Sequence, residues 1–108
     1  MSNEKQYAVV MTTVASEAAA AELATKVLAR KLGACVQVQR VRSFYAWKGE
    51  TCSDPEWLLF IKTRAGLYGE LESFIRENHA YETPEIVQVP VSRGFAGYLR
   101  WIDGVTDG

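Results

Sequence analysis

The sequence predicts an α+β fold. Three observations carry that reading. Apolar runs rich in β-branched residues alternate with segments of helical spacing in the order β-α-β-β-α-β-α. The two central strands are joined by a hairpin rather than by a helix. The 108 residues, 48% apolar and 23% charged, suit one domain, 1–108, with one core.

The elements follow in order. Tyr7 to Val14 reads as a buried strand. Ser16 offers an N-cap and Glu17 suits the positive end of a helix dipole. Ala20, Leu23, Ala24 and Val27 share one face of a helix that runs to Leu32, with Gly33 placed to cap it. Ala34 to Trp47 is extended, but its apolar parity changes midway, from Val36 and Val38 to Val41, Tyr45 and Trp47. That change predicts a bulge or bend near Gln39 to Val41. Lys48-Gly49-Glu50 marks a hairpin tip and Ser53-Asp54-Pro55 a second turn, before a return strand from Glu56 to Arg64. Leu67, Leu71, Phe74 and Ile75 recur at helical spacing, and Pro84 prevents continuation. Glu85 to Val91 is a strand with Pro90 near its end or on an edge. Phe95, Tyr98, Leu99 and Ile102 form a short amphipathic helix that frays from Gly104 onward. The first six elements have the split layout of a ferredoxin-like β-α-β-β-α-β sandwich.

Such a sheet carries both main helices on one face, so its other face should alternate with polar residues if it meets water. Instead Trp57 to Ile61 is apolar at both parities, Tyr7 to Met11 is similar, and Ile86, Val87, Val89 and Val91 add more. A face of that kind exceeds what soluble monomers leave open, and another copy of the chain is the simplest cover, burying roughly 1,000 Å² or more per partner. The expectation is an obligate homo-oligomer, to which the long hairpin also contributes.

Charge and motifs narrow the function classes. A net charge of −1 gives no pull toward nucleic acid or anionic lipid. No stretch approaches the ~20 apolar residues of a membrane span, and the polar lead MSNEKQ lacks the parts of a signal peptide, so the expected location is cytoplasmic. The two cysteines form neither a disulfide framework nor a zinc pattern; Cys35 is expected buried and Cys52 exposed. No phosphate loop, nucleophile elbow or metalloprotease helix occurs, and no enzyme is expected.

Three features remain as candidates. The lone His79, in NHAYETPEI beside Tyr81, Glu82 and Glu85, suits a metal ligand, a general base, or a helix-end residue bonded to backbone. Lys62 suits either an ion pair with Glu85 or Glu56, or an anion contact in a cleft between subunits. Phe44, Tyr45, Trp47 and Trp57 suit cross-strand or interface packing, or stacking on a ligand.

Taken together, GACV at 33–36, SFYAWKGE at 43–50, KTR at 62–64, NHAYETPEI at 78–86 and YLRWI at 98–102 closely resemble the divalent-cation-tolerance family, CutA. The resemblance runs from Tyr7 to Trp101. It implies a fold related to the PII signalling proteins, a cytoplasmic homotrimer, a role in tolerance of copper or other divalent metals, and no established enzymatic activity. The copper ligands described for bacterial members fall on Thr12, Asn78 and His79, of which only His79 retains a ligating side chain of the family's type. The resemblance therefore implies weak binding of Cu(II) or another divalent cation at His79. The alternative it implies is a PII-like regulatory trimer, whose intersubunit clefts near Lys62, Tyr81, Glu85 and Trp47 bind a small anion or a partner protein.

Overall fold

The computed structural model describes residues 6–107; the polar lead at 1–5 and Gly108 lie outside the described residues. Four antiparallel strands, β1 (Tyr7–Val14), β2 (Cys35–Trp47), β3 (Glu50–Arg64) and β4 (Val87–Val91), form one sheet in the order β2-β3-β1-β4. Helices α1 (Glu17–Ala29) and α2 (Tyr68–Glu77) follow β1 and β3, and α3 (Ala96–Thr106) ends the fold. The α+β, ferredoxin-like reading therefore holds.

One face of the sheet makes the core. Val10 and Val14 of β1, with Leu59 and Ile61 of β3, pack against Ala20, Leu23 and Val27 of α1 and Leu71, Phe74 and Ile75 of α2. Because paired residues in an antiparallel ladder share a face, Val9, Met11, Leu58, Phe60, Lys62, Val87 and Val89 fall on the other. α3 covers one end of that second face, where Tyr7 donates its hydroxyl to Asp103 at 2.7 Å and Arg64 reaches Thr106.

The hairpin departs from the sequence reading in two places. β2 and β3 pair without interruption from Cys35↔Lys62 to Trp47↔Glu50, so there is no bulge at Gln39–Val41. The apolar residues change parity for a different reason. Val36 lies over the helical core, whereas beyond Trp57↔Val14 the hairpin runs past β1 as a two-stranded ribbon, with Val41, Tyr45 and Trp47 on the open face. Nor is Ser53-Asp54-Pro55 a turn. β3 continues through it, with Pro55 opposite Arg42, at a level where among the described residues no strand flanks β3 on its other side and a missing N–H is tolerated. The tip forms as the sequence indicates: Lys48 (φ 50°) and Gly49 (φ 81°) are the two left-handed residues that a two-residue hairpin turn needs.

Both ends of α1 are built locally. Ser16 accepts from Ala19 N–H at 3.0 Å as the N-cap. At the other end the helix stops at Ala29, and Lys31 rather than Gly33 takes the left-handed position, φ 57°. Lys31 N–H bonds Leu28 C=O and Leu32 N–H bonds Val27 C=O, at 3.0 and 3.1 Å, the pair of bonds of a Schellman motif. Gly33 serves close packing instead: a Cβ there would lie 2.7 Å from Ile61 Cγ2.

Three further expectations change. β4 begins at Val87 rather than at residue 85, because Ile86 turns inward to pack against the core. The last helix does not fray at Gly104. Arg64 donates from Nε to Thr106 Oγ1 at 2.8 Å and from Nη2 to Thr106 C=O at 3.0 Å, holding the final turn against β3. Cys35 and Cys52 are both half-buried free thiols on the open face, rather than one buried and one exposed.

Candidate functional site

The segment after α2 is built around its side chains. Asn78 caps the helix, its N–H bonding Ile75 C=O at 3.1 Å and its Nδ2 donating to Phe74 C=O at 2.9 Å. Its Oδ1 accepts from Lys26 Nζ of α1 at 3.4 Å. His79 then turns toward β1. The β1–β4 ladder ends at Met11↔Val87, and beyond it Thr13 C=O accepts from His79 Nε2–H at 2.7 Å. On the other side of the ring, Tyr81 N–H donates to Nδ1 at 3.1 Å. A carbonyl only accepts and a backbone N–H only donates, so these partners select the neutral Nε2–H tautomer and use both nitrogens.

Tyr81 carries the connection onward. Its hydroxyl donates to Glu56 Oε2 at 2.7 Å, and Glu56 is only 8% exposed. Burial, together with that hydrogen bond, pushes the Tyr81 phenol well above the usual tyrosine range. Next to it on the ribbon, Tyr45 donates to Asp54 Oδ2 at 2.6 Å, a bond that raises Tyr45 to about 12. Two phenol–carboxylate pairs thus stand on the open face. The Tyr45–Asp54 pair was countable from the hairpin tip, since Lys48-Gly49 sets Tyr45 opposite Cys52 and diagonal to Asp54. Tyr81–Glu56 joins residues far apart in sequence and carried no local signal.

The other candidates are placed as follows. Lys62 makes no ion pair with Glu85 or Glu56 among the described residues; its Nζ donates to Gln37 Oε1 at 2.6 Å, because the register sets Gln37 diagonal to it on the same face. Glu85 is exposed ahead of β4. Trp47 sits beside the hairpin tip, with Lys48 Nζ 5.7 Å from its ring centroid. From Cys35, opposite Lys62, to Trp47 the strand runs roughly 40 Å at about 3.3 Å per residue. Lys62 and Trp47 therefore share the open face of one chain without converging. Nor do the hairpin aromatics form one cluster: Phe44, 72% exposed, and Trp57 lie on the helical side, Tyr45 and Trp47 on the other.

A resident divalent ion does not fit this arrangement. The Thr12 side chain points into the helical core, Asn78 is engaged at the helix end, and both nitrogens of His79 have partners. Among the described residues no three His, Cys, Asp or Glu side chains stand where they could hold a metal ion. A small cleft of about 170 Å³ lies between α1 and the 78–81 segment, lined in part by Glu22, Lys26, Asn78 and His79. No helix among the described residues is long and apolar enough to cross a membrane.

Residues 8–105 match the family model described as CutA1 divalent ion tolerance protein. Protein CutA of Mus musculus is 38% identical over 96 residues, which are 88% of this chain but 54% of that protein. The chain thus spans about half the length of that relative. The divalent-cation tolerance protein CutA of Thermus thermophilus is 38% identical over 95 residues, 87% of this chain and 92% of that one. Among solved structures, CutA1 from Oryza sativa superimposes with a TM-score of 0.93 at 36% identity, covering 98% of each chain. A periplasmic divalent cation tolerance protein CutA from Archaeoglobus fulgidus gives 0.92 at 31%, covering 94% of this chain and 99% of that one.

Proposed function

The chain belongs to the CutA1 divalent ion tolerance family, and on that premise we propose that it acts in the cellular response to divalent cations as a homotrimer rather than as a metal-holding monomer or an enzyme. One observation carries the proposal. The sheet face away from α1 and α2 is apolar and only partly covered: Val87 and Val89 are 45% and 47% exposed, and Val9, Met11, Leu58 and Phe60 stand on the same face. Further copies of the chain remove that surface from water. The ribbon beyond Trp57 projects past the sheet body, as an arm reaching a neighbour would. Cytoplasmic residence belongs to this reading, with copper as one of the ions to which the cell responds.

A second reading is favoured by Lys62. The residue is half-buried on the open face, and its ammonium, at an exposed hydrogen bond, has a neutral amide as partner. Assembly brings hairpin tips carrying Trp47 toward neighbouring sheets, and a cleft between Trp47 of one copy and Lys62, Tyr81 and Glu85 of another suits a small anion or an acidic segment of a partner.

Sedimentation velocity from nanomolar to micromolar concentration tests the assembly. A species of three chains that persists on dilution is expected, and Val89→Lys, which places a charge on the β4 side of the open face, should shift it toward a single 12.0 kDa chain. A wild-type protein that sediments as a folded single chain throughout overturns the proposal. For the cleft, inorganic phosphate should raise the melting temperature of the wild type and not of Lys62→Ala.

A further inference from the structure

The family's divalent ions direct attention to His79, the chain's only histidine, but the geometry assigns it another task. We infer that His79 is a positioning residue and not a divalent-ion ligand: its neutral ring joins the end of β1 to Tyr81 and thereby fixes the Tyr81 phenol on Glu56.

The bonds form one continuous connection. Thr13 C=O accepts from Nε2–H, Nδ1 accepts from Tyr81 N–H, and the Tyr81 hydroxyl donates to Glu56 Oε2. It starts on β1, beyond the last β1–β4 rung, and ends on β3. At its start the imidazole replaces the next strand residue, giving a donor to a carbonyl beyond the last β1–β4 rung. At its end the phenol gives a donor to the carboxylate of Glu56, a largely buried residue. The rings of His79 and Tyr81 also touch, centroids 4.7 Å apart. A metal ion needs a ring lone pair, and the neutral imidazole has one, on Nδ1. Tyr81 N–H already occupies it. Capture of an ion there displaces Tyr81 and leaves its N–H without that acceptor; capture at Nε2 first requires loss of its proton and of the bond to Thr13.

Neighbouring residues supply no compensation. Asn78 is used at the helix end and by Lys26, and Thr12 faces the opposite side of the sheet. The inference concerns contacts inside one chain, so it stands whether or not the chain forms trimers or binds phosphate.

The test uses the full chain without an affinity tag. Long-range proton–nitrogen NMR, in which one histidine gives one unambiguous ring, should show the Nε2–H tautomer, unchanged on adding one equivalent of Zn(II). Calorimetry with Zn(II) and with Cu(II) should give the same heats for wild type and His79→Ala. Alkaline titration of the tyrosine ring-carbon signals supplies the positioning readout. His79→Ala should bring Tyr81 down toward the ~10 of a free tyrosine and leave Tyr45, held by Asp54, where it is. His79→Gln, which retains both a donor and an acceptor, should restore Tyr81, and it replaces the alanine variant if that one does not fold. Ring signals that shift with Zn(II), heats that vanish in the variant, or a Tyr81 titration unmoved by His79→Ala would each overturn the inference.

Discussion

Replacing Gly33 by alanine probes how tightly the end of α1 is docked on the sheet. The added Cβ would lie 2.7 Å from Ile61 Cγ2 and 3.1 Å from Val27 Cγ1, against the ~3.5–4.0 Å of an unstrained carbon contact. Neither neighbour can swing outward, since Ile61 and Val27 are both fully buried. Overpacking of this kind costs about 1–3 kcal/mol. Alanine also narrows the unfolded ensemble, which offsets about 0.4–1 kcal/mol because Gly33 lies outside the left-handed region. The net expectation is a loss of about 1–2 kcal/mol, or a fall in Tm of roughly 5–15 °C for a domain of this size. Lys31→Gly supplies the opposing arm. Lys31 holds φ 57°, a conformation that disfavours a side chain by roughly 1–2 kcal/mol, so glycine there should stabilise by up to about 1 kcal/mol after its own entropy cost. Guanidinium unfolding followed by circular dichroism, at one protein concentration because assembly couples to stability, measures both. If Gly33 and not Lys31 ended the helix, Lys31→Gly would instead lose about 1 kcal/mol. That sign, or an unchanged midpoint for Gly33→Ala, refutes the reasoning.

Arg64→Ala removes two hydrogen bonds from a guanidinium to Thr106; it should cost about 1.5–3 kcal/mol and speed amide exchange in the last turn of α3. The nearby pair with the largely exposed Asp107, at 3.6 Å, adds little, so Asp107→Asn should be close to neutral. Tyr45 and Tyr81 both hold their protons more tightly when folded, Tyr45 up to about 12 through Asp54. Their contribution to stability is complete below the unfolded value near pH ~10 and declines as pH rises through the folded values. Tyr45→Phe should therefore flatten the alkaline limb between pH ~10 and ~12, read as unfolding midpoints across that range; an unchanged slope would remove the Tyr45–Asp54 bond from the account.

Much of the frame was legible in the residues themselves. Ser16 at the start of α1, Lys48-Gly49 at the hairpin tip and the apolar spacing of Leu71, Phe74 and Ile75 act over one to four residues, so the local chain is enough to specify them. The open apolar face was legible for a related reason. Strand parity assigns each side chain to a face, and Val87, Val89, Leu58 and Phe60 cannot all lie under α1 and α2. Pro55 misled, because a turn residue is also acceptable in a ribbon that has a neighbour on one side only.

The sequence by itself thus determined the order of elements, the two-sided apolar sheet and the family. Tertiary structure alone decided that His79 is bonded at both nitrogens, that Tyr81 reaches Glu56, that Lys62 turns to Gln37 rather than to a carboxylate, and that Arg64 extends α3 to Thr106. The physical reason is one of range. Periodicity and turn preference are properties of adjacent residues, whereas the partner of a polar side chain is set by register and packing, which bring together groups such as His79 and Thr13 that lie 66 positions apart in the chain.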